Sequence, residues 1–355
     1  MPGGITLSKI KKFRLTARIK LILLLVLLAA LIMVPFIVTN KYILHIIIFC
    51  FIYSCLTLSL NLIIGWSGQF SLGHVTFFGI GAYITSLLMM RLSMNFWLAA
   101  LISAVGVGIF GALLALPTLK LRGDYLAVMT LGFGEVFRLF TTNAISITRG
   151  PMGLPGIPSP KIGSFTINNK TEYYFFALIL LVAIVIFMKR LTTSGFGMAM
   201  LTIKEDSVAA SAIGIYPVKY KLWAFIIGAV IAGIMGSFYA VYMAFVSPSS
   251  FTYSESISMV SMVVLGGMGS IPGSIIGACI LTILPEALRS FSQYRMVLYG
   301  AAMVLMMIFR PNGIWGADKR VKNMYKTIAG RSANYGKSPS GVKCDNPVWG
   351  TDSGR

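Results

Sequence analysis

The sequence predicts an all-α polytopic membrane bundle of about ten transmembrane or re-entrant helices, and three observations predict it. Of the 355 residues, 57% are hydrophobic and only 11% charged, with a mean hydropathy of +0.83. Soluble domains carry roughly 25% charged residues. The apolar residues fall in runs near the ~20 residues that cross a hydrocarbon core of ~30 Å. The net charge of +20 is concentrated between those runs, which is the positive-inside pattern of membrane proteins. A basic groove for nucleic acid is excluded on the same ground.

Taken in order, residues 1–20 form a basic arm through Lys9, Lys11, Lys12, Arg14, Arg18 and Lys20. Leu21 to Val38 is long enough to span and no small-x-small cleavage site follows it, so it reads as an uncleaved first span with its basic end in the cytoplasm. Further spans are expected at about 42–64, 70–90, 96–119, 124–141, 172–188, 217–246, 255–269, 273–289 and 294–309. Ten crossings return the C-terminus to the cytoplasmic side of the N-terminus and place Lys120 and Arg122 there. The segments 124–141 and 255–269 are short or interrupted by glycine, which leaves eight full spans plus two re-entrant segments as the other reading. The membrane domain covers 21–316, with an external loop at 142–170 and a cytoplasmic loop at 190–216. Residues 317–355 form a basic cytoplasmic tail containing Lys319, Arg320, Lys322 and Lys326, expected to be disordered. Juxtamembrane contact with anionic lipid suits these charges.

Between spans, Met198 to Tyr216 carries a soluble-looking helix signal. Lys204, Glu205 and Asp206 open an Ala-rich segment and Gly214 and Pro217 close it, which predicts a three-turn helix suited to docking. Two glycine-rich breaks interrupt apolar sequence, one with Gly65, Ser67, Gly68 and Gln69 and one with Gly266, Gly267, Gly269 and Ser270. Lipid cannot satisfy freed backbone groups, so each break faces other helices or a wet pathway, or forms a tight turn at the surface. Gly79, Gly81, Gly106, Gly108, Gly111, Gly228, Gly233 and Gly236 have the small-residue spacing of close helix packing.

Arg149 to Pro158 is too rich in Pro and Gly for a helix and reads as an ordered external cap or a plain surface loop. Glu135 and Arg138 are three apart on one helical face and are expected to neutralise each other, as a structural pair or in gating. Glu286 and His74 suit buried hydrogen bonds. Cys50, Cys55, Cys279 and Cys344 have no metal-like spacing and read as small fillers. Gly330 to Ser338 resembles a phosphate loop, but five residues separate its glycines where four are required. With two histidines and no catalytic constellation, an enzyme with its own active site is not expected, nor a cofactor or metal in this chain.

Five phrases in order carry a family resemblance: Gly65 to His74, Leu121 to Ala127, Thr130 to Glu135, Val264 to Ser270 and Phe309 to Gly313. They resemble the inner-membrane permeases of bacterial branched-chain amino-acid ABC importers, in particular the M-type subunit, over about 42–316. The resemblance implies partners: separate ABC ATPase subunits that hydrolyse ATP, a second, H-type permease and a periplasmic substrate-binding protein. It also implies that Lys204 to Gly214 is the helix received by the ATPase, with Ala209 and Ala210 as its contact face. Glu205 is followed by Asp-Ser-Val before the Ala pair, a relaxed form of the family's loop. A urea or amide importer of the same family, a secondary transporter and a non-transport scaffold are the rival readings. The scarcity of carboxylates inside the spans counts against a secondary transporter.

Overall fold

A computed structural model describes residues 26, 29–38, 40–118, 123–162, 165–287 and the single positions 300, 304, 313 and 314. The chain divides into Met1–Gly316 and Ala317–Arg355, and every described residue belongs to the first unit. The basic arm, the expected span at 294–309, the phosphate-loop-like stretch, Cys344 and the tail lie outside the described residues, apart from Gly300 and Val304.

Helix α1 covers 29–37. Helix α2, Lys41–Asn61, starts where the Asn40 side chain accepts a hydrogen bond from the Tyr42 backbone N–H at 2.9 Å. It widens into a π-turn over Leu62–Trp66. Helices α3 (His74–Arg91), α4 (Phe96–Thr118) and α5 (Asp124–Asn143) follow, and the single turn α6 covers Ile145–Thr148. Helix α7, Lys170–Thr193, opens on a capping box of Asn169 and Glu172. Helices α8 (Gly195–Glu205) and α9 (Ser207–Ala212) precede α10, Pro217–Met243, which has proline in its first turn. Helices α11 (Tyr253–Gly266) and α12 (Ile271–Ala287) complete the set.

Among the described residues, four helices are long and apolar enough to cross a membrane: Lys41–Trp66, Phe96–Pro117, Lys170–Thr193 and Pro217–Met243. The chain is an all-α polytopic membrane bundle, and the strands among the described residues are each two residues long. Strand β1 (Leu154–Pro155) pairs antiparallel with β4 (Phe245–Val246), and β2 (Lys161–Ile162) pairs with β3 (Phe165–Thr166). The expected span 217–246 therefore ends at Met243, because Ala244 turns into the left-handed region and the next residues extend to meet β1.

The centre is α2 with its π-turn, buried on every side from Ser54 to Trp66, flanked by α7, α10, α11 and α12. A helix that is apolar all round belongs inside a bundle. Close approach of α3 to α10 depends on small residues: Gly81 lies on the Gly233 backbone and Gly236 on the Phe78 carbonyl, with no room for a methyl at either. Buried hydroxyls tie α10 and α4 to α3, Thr85 Oγ1 donating to Ser237 Oγ at 2.7 Å and Ser103 Oγ to the Gly81 carbonyl at 3.0 Å. One end of α2 lies by the strands, where Lys170 Nζ donates to the Lys41 carbonyl and Tyr173 Oη to that of Val241. The other end lies by α8.

Candidate functional site

The segment expected as one helix from Lys204 to Gly214 is instead two. Lys204 and Glu205 are the last residues of α8, and at Asp206 the backbone is extended, with φ −151° and ψ 111°. The cause is local: the Asp206 carboxylate accepts from the N–H groups of Val208 (2.8 Å) and Ala209 (3.1 Å), capping a new helix rather than continuing the old one. The end is as expected. Gly214, at φ +83°, lets its N–H reach the Ser211 carbonyl and that of Ile215 reach the Ala210 carbonyl, which is a Schellman close. Ala209 and Ala210 do not share one contact face: Ala209 is exposed and Ala210 is fully buried. The outward face is apolar, with Val208 at 70%, Ile213 at 71% and Tyr216 at 75% exposure.

Lys204 is an exposed residue whose ammonium turns onto the bundle. Its Nζ donates to the Gly65 carbonyl at 2.7 Å, and Gly68, at φ +71°, packs on its side chain. Burial lowers the pKa of this ammonium, with Glu205 beside it opposing the shift, and the carbonyl replaces water that the cation has lost. The freed carbonyl of a widened helical turn is thus satisfied by a side chain 139 positions away.

Both glycine breaks meet at the same point. Asn61, fully buried on α2, donates from Nδ2 to Ser274 Oγ at 2.5 Å and to the carbonyls of Ser270 (3.3 Å) and Gly267 (3.5 Å). Its Oδ1 accepts from Gly269 N–H at 2.9 Å. Every hydrogen-bonding position of the amide that faces the second break is used. The Gly65 backbone lies against Asn61 and the nitrogen of Gly269 so closely that a methyl overlaps both. Gly267 in turn receives Gly313, and the Ile314 N–H donates to the Leu265 carbonyl at 2.9 Å.

The remaining residues of the first break hold their own turn. Ser67 Oγ lies 2.8 Å from both the Ile63 carbonyl and Gln69 Oε1, which share its one proton. Leu72 N–H donates to Thr130 Oγ1 at 3.0 Å, so the turn rests on α5. His74 Nε2 and Ser59 Oγ share a buried hydrogen bond of 2.7 Å. On α5, Arg138 Nε donates to both Glu135 oxygens, at 2.9 and 3.0 Å, in the expected pairing. Both side chains remain partly exposed. The Pro- and Gly-rich loop at the opposite end is ordered through the β1 to β4 pairing and through the N–H groups of Gly156 and Ile157 on the Ala244 carbonyl.

Asn61 was absent from the residues singled out in the sequence, although an amide inside Leu60-Asn61-Leu62 is costly in lipid and is a legible signal. Val208, Ile213 and Tyr216 were missed because helix spacing alone does not tell which apolar residues of a short turn lack a partner. Asn61→Leu is expected to leave the Gly269 N–H without an acceptor, while the Ser270 carbonyl keeps the N–H and hydroxyl of Ser274. At about 1–3 kcal/mol for each buried group unpaired, the unfolding midpoint of the detergent-solubilised protein falls sharply. An unchanged midpoint in that variant would contradict the clamp.

Comparison with known proteins adds to this geometry. Residues 42–307 match the family described as branched-chain amino acid transport system, permease component. The chain is 39% identical over 290 residues to the high-affinity branched-chain amino acid transport system permease protein LivM of Salmonella typhimurium, an alignment covering 74% of this chain and 67% of that protein. LivM of Escherichia coli K12 is also 39% identical, over 286 residues, with the same coverage. The permease protein LivH of Salmonella typhimurium is 24% identical over 295 residues, covering 74% of this chain and 91% of LivH. No solved structure matches.

Proposed function

The chain belongs to the family of branched-chain amino acid transport permeases, and from that membership we propose its working role. It is one of two permease subunits of an ATP-driven importer in a bacterial inner membrane, pairing with an H-type subunit. A periplasmic binding protein delivers a small apolar amino acid to the face carrying β1 and β4. ABC ATPases, on separate chains, receive α9 on the opposite, cytoplasmic face.

The observation that carries this reading is the joint at Gly65. Force on α9 passes to α8, from Lys204 to the Gly65 carbonyl, and from Gly65 to Asn61 and the second break. The two breaks bury against each other, so their role in this reading is that of a hinge rather than of a channel wall. Alternating access then follows from tilting α11 and α12 against α2.

Ten crossings with both termini cytoplasmic remain the topology we assign. Helix α11 has 14 residues, roughly 21 Å at 1.5 Å per residue, against a core of ~30 Å. Its tip sits at the joint assigned to the cytoplasmic side, so its first turn starts below the outer surface.

The test is purification of the chain from its native membrane followed by reconstitution. Recovery with two further components, an ATPase and a second permease, and leucine uptake that requires ATP and the binding protein, are the expected results. Uptake by the chain alone, driven by an ion gradient, would reject the proposal.

A further inference from the structure

We infer that a row of aromatic rings on α2 and α10, ending at Glu255, binds the ammonium group of a zwitterionic amino acid inside the membrane. The inference rests on the transport role proposed above and names a site for it. Lys41 marks the outer end of α2, and Tyr53 lies twelve residues further on, roughly 18 Å deep at 1.5 Å per residue. That depth is near the middle of a hydrocarbon core of ~30 Å. There Tyr53 Oη donates to Glu255 Oε2 at 3.0 Å.

Among the described residues no cation is paired with Glu255, in contrast to Glu135, which has Arg138. Its second oxygen takes no hydrogen bond among them. A carboxylate in the membrane interior without a counter-charge is costly and marks a pathway or ligand.

The approach to it is aromatic. His45, Phe49 and Tyr53 stand one turn apart on one face of α2, and Tyr239 and Tyr242 on α10 face them. Ring centroids lie 4.8 Å apart for His45 and Phe49 and 6.2 Å for Phe49 with each of Tyr53, Tyr239 and Tyr242. His45 Nδ1 and Tyr242 Oη share a hydrogen bond of 2.5 Å, which fixes the outermost pair. All five rings and Glu255 are partly accessible, whereas α2 below Tyr53 is buried. The accessible row therefore runs from the strand end down to the carboxylate.

Ring faces and a carboxylate are the groups that attract an ammonium, the rings acting within ~6 Å. The rings also accept the aliphatic side chain of the same molecule. The bland alternative is that Tyr53 and Glu255 merely anchor α11, whose first turn favours a negative charge. That accounts for the hydrogen bond and leaves the accessible row unexplained.

The experiment uses the assembled importer in nanodiscs without the binding protein. Saturation-transfer NMR is recorded with 3-methylbutylamine, which is leucine without its carboxylate, and 4-methylpentanoate, which lacks the ammonium. The wild type is expected to saturate the amine and not the acid. Glu255→Gln, checked for elution as an intact complex, is expected to lose the amine signal at least fivefold and leucine uptake at least tenfold. Tyr53→Phe keeps the ring and the carboxylate and is expected to keep the amine signal. Equal signals from both probes in the wild type, or an undiminished amine signal in Glu255→Gln, would overturn the site. So would equal losses in the two variants, which assign the pair to anchoring. If the wild type binds the amine but shows no ATP-driven leucine uptake, the transport role fails and the ammonium site stands.

Discussion

Gly65→Val is expected to abolish uptake by the reconstituted importer and to lower the unfolding midpoint of the solubilised chain more than any other single substitution. A methyl at this position already overlaps Asn61 Oδ1 and the backbone nitrogen of Gly269. A side chain can turn away, but the Gly269 nitrogen belongs to a chain held by Asn61 itself. Adding volume to a packed interior typically costs about 1–3 kcal/mol, and here the added atoms also separate Lys204 from the Gly65 carbonyl. The companion Asn61→Ala is therefore expected to rescue Gly65→Ala only in part, since it removes one of the two overlaps. Gly132 on α5 has nothing within 4 Å of a built methyl, so Gly132→Ala serves as the control with little change in midpoint. Melting of the four proteins side by side checks the joint, and equal midpoints for Gly65→Ala and Gly132→Ala would refute it.

Val208→Asp combined with Ile213→Asp is expected to cut recovery of the ATPase with the chain, and ATP-driven uptake, by tenfold or more. The unfolding midpoint should stay near that of the wild type. Both side chains project from α9 and the turn after it with about seven-tenths of their surface exposed, so charging them costs the fold little and the docked state much. Ala209→Asp belongs with them. Ala210→Asp does not, because that residue is fully buried and a carboxylate there destabilises α9 itself. Pull-down of ATPase from solubilised membranes, with the midpoint as reference, distinguishes the two cases. Full recovery of ATPase with the double variant would remove α9 from the interface.

Helices α7 and α10 were legible in the sequence because each is an uninterrupted apolar run with its own start signal, Asn169 with Glu172 in one and Pro217 in the other. The breaks were legible as breaks, since glycine with serine and proline in one short run does not continue an apolar helix. Their meeting was not. The Lys204 to Gly65 bond joins positions 139 apart and the Asn61 to Gly269 bond positions 208 apart, and no local pattern encodes such a pairing. The division at Asp206 was missed because acidic residues favour both a first helical turn and a cap, and only the competing N–H groups decide between them. Glu255 escaped notice for a related reason: Tyr253-Ser254-Glu255-Ser256 reads as a polar helix start, and its depth emerges only once Tyr53 is placed against it.

Helix α10 carries strand β4 just beyond one end and the α9 turn just before the other. Its 27 residues make a rod of roughly 40 Å at 1.5 Å per residue, so in the proposed importer a protein resting on the β1 to β4 ribbon and a motor gripping α9 would press on opposite tips of the same strut. Thermodynamic reciprocity then applies. Whatever factor nucleotide applies to the grip of the delivering protein outside, that protein must return to the affinity for nucleotide inside. Titrating one ligand at fixed levels of the other measures both factors, and they are expected to be equal.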